Sequence, residues 1–178
     1  AIDDGIAARL GIDKELLARH ARGLIGLSAC MKGEVNSLLA DNRLDEAARA
    51  AGEYAEILGR DNFYIEMQDH GIPEQKIANQ GLMELGRELS IPLIATNDCH
   101  YLNADHAEAH DVLLCIQMGK TIEDKDRMSM SSDQFYVRSP QEMQALFAAT
   151  PEAVANTLAV ADRCNLTFEF GKFYLPKF

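Results

Sequence analysis

The sequence predicts an α/β protein built on a parallel sheet, and two observations carry that reading. Three short apolar runs of strand length recur along the chain, at 24–30, 63–68 and 92–96. Stretches with apolar residues three and four apart lie between them, so the order is strand, helix, strand, helix, strand.

Taken in order, Asp13 is placed to cap an amphipathic stretch that carries His20, which reads as a surface residue. Leu24-Ile25-Gly26-Leu27-Ser28-Ala29-Cys30 is the first strand and ends in polar residues. Leu44, Ala47, Ala48, Ala51, Ala55 and Leu58 mark one face of the helix that follows. The second strand, Phe63-Tyr64-Ile65-Glu66-Met67-Gln68, alternates with period two and leads into Asp69-His70-Gly71. Ala78, Leu82, Leu85 and Leu89 mark the next helix, and Pro92-Leu93-Ile94-Ala95-Thr96 is the third strand. It runs into Asn97-Asp98-Cys99-His100.

Beyond that point the pattern changes. Residues 107–118 read as a helix with Ala109, Val112, Leu113 and Ile116 on one side, and the polar stretch 121–133 reads as loop. Ser139-Pro140-Gln141-Glu142 is a helix start, with a Ser cap, Pro in the first position and Glu three after the cap. Thr150-Pro151 repeats that logic before Val154, Leu158, Ala161 and Cys164. The stretch from Phe168 is aromatic and irregular and ends on Leu175-Pro176-Lys177-Phe178, as at an internal boundary of a longer chain.

With 47% hydrophobic and 25% charged residues, the chain has material for one sizeable core. Its 17 Lys and Arg against 28 Asp and Glu give a net charge of −11, which excludes nucleic-acid binding through bulk charge. Contact with DNA must then be local, metal-assisted or supplied by another part of a larger protein. No apolar run approaches the ~20 residues of a membrane span. Ala1-Ile2-Asp3-Asp4-Gly5 holds no apolar signal core, so a cytoplasmic chain with no membrane partner is expected. Cys30, Cys99, Cys115 and Cys164 lie far apart without a CxxC pair, which excludes a zinc ribbon and reads as reduced thiols. Cys99, Cys115 and Cys164 are expected in the core.

Each strand runs into potential ligands at its carboxyl end: Cys30, then His70, then Asp98 with His100. In parallel α/β folds those ends carry the chemistry, because side chains from separate strands converge there. Asp98 and His100 are two apart in an extended segment and share a side. A carboxylate and an imidazole suit a divalent cation of borderline softness, and a thiolate biases the choice toward zinc. The residues alone leave two readings open: a metal site, or a small buried thiol beside a turn. His106 and His110 are four apart, but the zincin motif needs Glu directly after the first His and Ala107 stands there, so packing or solvated roles are expected. Lys120, Lys125 and Arg127 form a loose basic loop, either solvent-exposed or a subunit contact.

Several blocks, in order, resemble a known family: Gly23 to Val35 with Leu27-Ser28-Ala29-Cys30, Phe63 to Gly71, and Ile94-Ala95-Thr96-Asn97-Asp98-Cys99-His100-Tyr101. They are similar to the PHP (polymerase and histidinol phosphatase) domain of the bacterial replicative DNA polymerase III alpha subunits. Ala109 to Gln117, Asn156-Thr157 with Arg163-Cys164-Asn165, and Tyr174 to Phe178 continue the likeness toward the palm domain. It covers residues 12–178 and leaves 1–11 unplaced. The resemblance implies part of a distorted (β/α)7 barrel over 12–118 and a helical extension toward the palm over 119–178.

It also implies a cluster of up to three divalent metals (zinc, manganese or magnesium) at the barrel mouth, with Cys30, Asp98 and His100 among the ligands. His70 lies near the mouth but is not carried over as a ligand. The family's opening His-x-His motif, a further His and a Glu have no counterpart here, and three strands cannot close a barrel of ~250 residues. The expectation is therefore a fragment of a polymerase, without the palm aspartates that catalyse nucleotide addition and with an incomplete metal set that leaves the fragment itself inactive. The implied partners are DNA, through the parent polymerase, and other replisome subunits such as a sliding clamp and an exonuclease subunit. Within the parent, the domain is either a metal-dependent 3′–5′ proofreader or a scaffold that braces the thumb and palm or docks an exonuclease. A free-standing PHP phosphoesterase is the alternative.

Overall fold

The computed structural model describes residues 12–173; the expectations for 1–11 and 174–178 lie outside them. The first helix, α1 (Lys14–His20), starts where the sequence places it, with the Asp13 carboxylate accepting from the Leu16 N–H at 2.7 Å. β1 (Gly26–Leu27), β2 (Phe63–Met67) and β3 (Leu93–Ala95) form one sheet in the order β1-β2-β3, and both pairings are parallel. Gly26 pairs with Phe63, and Ile65 with Leu93. The mixed α/β class with a small parallel sheet is as expected; no closed barrel forms among the described residues.

Two helices follow β1. α2 (Glu34–Ala40), which the periodicity does not reveal, is seven residues long and buries Val35 and Asn36. α3 (Leu44–Leu58) lays Ala47, Ala51 and Ala55 against the sheet with no exposure at all. Small residues there allow close approach: a Cβ on Gly26 would meet Leu58 Cδ1 at 2.5 Å. β2 lacks the expected alternation. Phe63, Tyr64, Ile65 and Met67 are all buried and only Glu66 is partly open, because a central parallel strand is covered on both faces. Phe63, Ile65 and Leu82, the last from α4 (Pro73–Leu89), are the largest apolar side chains with almost no exposure. Each contributes ~1.5–3 kcal/mol by leaving water.

Past β3, α5 (Ala107–Met118) buries only Cys115, and its Val112, Leu113 and Ile116 are exposed. The following stretch is irregular, as expected, and is held to α5 by a bidentate Arg127–Asp111 pair at 2.6 and 2.8 Å. α6 (Pro140–Leu146) carries the expected capping box: Ser139 Oγ accepts from the Glu142 N–H, and Glu142 accepts from the Ser139 N–H at 2.7 Å. α7 (Pro151–Arg163) begins at Thr150, whose side chain makes no capping bond. It packs on β3, where Asn156 Nδ2 donates to the Leu93 carbonyl at 2.7 Å. Arg163 then donates to the Asp61 carbonyl and to the side chains of Tyr64 and Asn62, fixing the far end of α7 beside β2.

Further expectations need correction. Leu158 is 70% exposed; Ala153 and half-buried Val154 make the inward face of α7 instead. Cys99 and Cys164 are exposed, the first because it sits in the loop after β3 and the second because it caps the end of α7. Among the described residues no helix is long and apolar enough to cross a membrane.

Candidate functional site at the carboxyl end of the sheet

The parallel sheet brings the ends of all three strands to one edge, and each end is held by polar side chains. After β1, Ser28 continues the pairing by donating its N–H to the Tyr64 carbonyl, while its Oγ accepts from the Glu66 N–H. The chain then turns sharply, with Ala29 in the left-handed region at φ 67°. Gly33 closes the turn by donating to the Cys30 carbonyl at 2.8 Å, and a Cβ there would sit 2.4 Å from the Ser28 carbonyl oxygen. Asn36, at the start of α2, donates both amide hydrogens, one to the Ala29 and one to the Cys30 carbonyl, each at 3.1 Å. Cys30 is thus a half-buried thiol on a firmly clamped loop.

β2 ends in a polar ladder. Thr96 Oγ1 donates to Glu66 Oε1 at 2.5 Å, and Gln68 Nε2 donates to the same oxygen at 3.0 Å. His70 follows, 1% exposed, with its ring stacked on Phe135 at a centroid distance of 3.9 Å. Its backbone N–H donates to Gln75 Oε1, which fixes the orientation of that amide. Gln75 Nε2 must then donate to His70 Nδ1, leaving Nε2 to donate its hydrogen to the Asn97 carbonyl at 3.0 Å. Both ring nitrogens are used in hydrogen bonds within the fold.

After β3, Asn97 is buried and donates to the Gln134 and Tyr136 carbonyls. Asp98 adopts φ 42°, a second left-handed residue at a strand end, and such strain gathers at functional sites. His100 donates its backbone N–H to the Phe135 carbonyl, and its Nδ1 contacts the Asp98 carbonyl at 2.6 Å. A carbonyl only accepts, so Nδ1 carries the hydrogen and Nε2 presents its lone pair outward. The same support orients metal-ligating histidines. The His110 ring lies 5.5 Å from that of His100 by centroids, with a buried Nδ1 that has no hydrogen-bond partner among the described residues.

Asp98 and His100 therefore share one loop. Cys30 is at the same end of the sheet, but β2 stands between; neighbouring strands are about 4.8 Å apart, so β1 and β3 are separated by roughly 10 Å. Among the described residues no three His, Cys, Asp or Glu side chains are grouped to hold a metal ion. The motifs did not single out Asn36, Glu66, Gln75 or Thr96, although Glu66 is a visible signal: a carboxylate inside an otherwise apolar strand.

Residues 1–70 match the PHP domain family, a span that takes in β1, Cys30 and β2 and stops at His70. Across 92% of this chain, the sequence is 43% identical to the DNA polymerase III subunit alpha of Treponema pallidum. The corresponding subunits of Helicobacter pylori and Thermus aquaticus are 42% and 39% identical over 89% and 98% of the chain. These relatives are all DNA polymerase III alpha subunits. Similarity to these subunits continues well past residue 70, through the loop with Asp98 and His100 and into α7. The chain spans 14% of the length of the first two of these alpha subunits and 15% of the third.

Proposed function

We propose that this chain is the carboxyl portion of a PHP domain within a bacterial replicative DNA polymerase that works in the cytoplasm. Residues 12–118 complete part of the barrel, and 119–178 lead toward the palm. The parent reaction is template-directed addition of deoxynucleotides to a primer, carried by palm aspartates outside this chain. The observation that carries this reading is the near-complete coverage by polymerase III alpha subunits. A free-standing PHP phosphoesterase is disfavoured, because the likeness runs far beyond the residues that match the PHP family alone.

Within the parent, Asp98 and His100 are donors to a metal centre whose remaining ligands lie outside this chain, with Cys30 on its β1 side. The donor chemistry fits: an outward Nε2 and a carboxylate that receives no hydrogen bond among the described residues. A divalent metal (zinc, manganese or magnesium) would supply water activation and polarisation of a phosphodiester. The chain's own residues supply placement. Asn36 and Gly33 hold the Cys30 loop, the Asp98 carbonyl orients His100, and the Phe135 carbonyl pins the His100 backbone.

Two roles follow for the PHP region. Proofreading by 3′–5′ hydrolysis is supported by the oriented His100. A structural or exonuclease-docking role is supported by the exposed Val112, Leu113 and Ile116 on α5. The test is an Asp98→Ala, His100→Ala double variant of a polymerase containing this stretch. Proofreading predicts that bound metal and 3′ hydrolysis fall by tenfold or more while primer extension persists. Unchanged metal content would remove Asp98 and His100 from the centre, and absence of primer extension in the parent would overturn the polymerase reading.

A further inference from the structure

Helices α6 and α7 leave an open groove between them, about 580 Å³ in volume, over Ala95 of β3. Its walls are apolar: Met143 from α6, and Val154, Ala155 and the exposed Leu158 from α7. Arg138, just ahead of α6, also lines it. The Arg138 Nη2 donates to Gln134 Oε1 at 2.8 Å, and its guanidinium lies 5.4 Å from the centroid of the Tyr136 ring. Its Nε is buried without a hydrogen-bond partner among the described residues. Glu142, the carboxylate on the adjoining turn, is taken up by Ser139 and Tyr136. The groove therefore suits apolar side chains next to a carboxylate, because a half-buried guanidinium without an anion is unfavourable.

The chain itself carries such a segment. After α7, Leu166-Thr167-Phe168-Glu169-Phe170 sets large apolar residues on either side of a carboxylate, and Phe173 follows. Phe168, Phe170 and Phe173 are 68%, 94% and 89% exposed. Glu169 pairs with Lys172 at 3.0 Å, an exposed pair that contributes little and exchanges readily.

Within one chain the segment and the groove are poorly placed for each other. α7 ends beside the start of β2, where Arg163 donates to the Asp61 carbonyl. Arg138 instead follows Tyr136, which Asn97 holds at the carboxyl end of β3. The five residues from Cys164 to Glu169 reach at most about 18 Å and would have to run the length of the sheet. A copy related by a two-fold axis is free of that constraint. Two exchanged segments, with three Phe each at ~150–250 Å², bury on the order of 1,000 Å², the size a specific interface needs.

We propose that the groove is filled by a second copy of this chain. Two chains exchange their 166–173 segments, each seating its Phe side chains along Met143 and Leu158 of the other. The Glu169 carboxylate reaches Arg138 at the rim.

Sedimentation equilibrium of the 178-residue chain, from about 10 μM to 1 mM, tests this. The expected result is a monomer–dimer equilibrium that weakens at least tenfold with Leu158→Glu and is lost when residues 166–178 are removed. Arg138→Glu and Glu169→Arg each weaken it about tenfold, and the two together restore it, which damage to the fold at either position would not do. Circular dichroism checks the fold of each variant. If Arg138→Glu does not fold, Phe168→Ser with Phe170→Ser, on the exposed segment, must abolish the dimer. A monomer at every concentration, a dimer that survives both Leu158→Glu and loss of 166–178, or a folded charge-swapped pair no better than the single variants overturns the proposal.

Discussion

The Asp98 carbonyl accepts the Nδ1–H of His100 at 2.6 Å, and that bond decides which nitrogen of the exposed imidazole is left for chemistry. The account predicts that long-range ¹H–¹⁵N spectra show His100 as the Nδ1–H tautomer, with Nε2 carrying the lone pair. Adding zinc should move the Nε2 signal first. An Nε2–H tautomer would remove the physical basis for treating His100 as a ligand.

His70 and Gln75 hold each other through two bonds, backbone N–H to Oε1 and Nε2 to Nδ1, each at 2.8 Å. Gln75→Leu leaves a buried N–H and a buried ring nitrogen without partners. Chemical denaturation should show a loss of about 2–4 kcal/mol. A loss under about 0.5 kcal/mol would mean that water replaces the amide and that the ladder is not needed.

Gly33 closes the Cys30 turn so tightly that a methyl group would collide with the Ser28 carbonyl oxygen at 2.4 Å. Backbone, not a flexible side chain, is the obstacle. Gly33→Ala should therefore cost about 1–3 kcal/mol and raise the reactivity of Cys30 toward thiol reagents as its loop shifts. A variant with unchanged stability and unchanged labelling would show that the turn tolerates the Cβ.

The Ser139 side chain, then the Tyr136 hydroxyl and the Ser139 N–H, hold the Glu142 carboxyl down to about 2 from its ordinary 4.5. A carboxyl whose pKa is depressed by folding stabilises the folded state above the unfolded value. That contribution is lost as pH falls from about 4.5 toward about 2. The stability gap between the natural chain and Glu142→Gln should be constant above pH ~5 and close through that window. A gap that does not change with pH would assign the cap's worth to hydrogen bonding alone.

The strands and the long helices were legible because their residues repeat at the right period and their caps use local chemistry, as at Asp13 and Ser139. α2 was not, because a seven-residue helix with Val35, Leu38 and Leu39 is too short to show a stripe. The fates of Cys99 and Leu158 depend on what packs over them, which no local pattern encodes. At the site, placing Cys30, Asp98 and His100 at one end of the sheet followed from parallel topology. That no three donors group there among the described residues did not, because sharing a sheet end fixes position along the strands and not across them. His70 shows the reverse: its position invites a functional role, and only its two hydrogen bonds with Gln75 reveal a packing one.

The central claim is that this chain carries only part of a hydrolytic centre and none of the polymerising one. The most direct test gives the purified 178-residue chain a 3′-labelled single strand and a primed template with zinc, manganese or magnesium, and uses Asp98→Ala as control. Neither cleavage nor extension is predicted, because the described residues bring no three metal donors together and the net charge of −11 repels a phosphate backbone. Metal-dependent cleavage that disappears in Asp98→Ala would contradict the account and show that the partial site suffices.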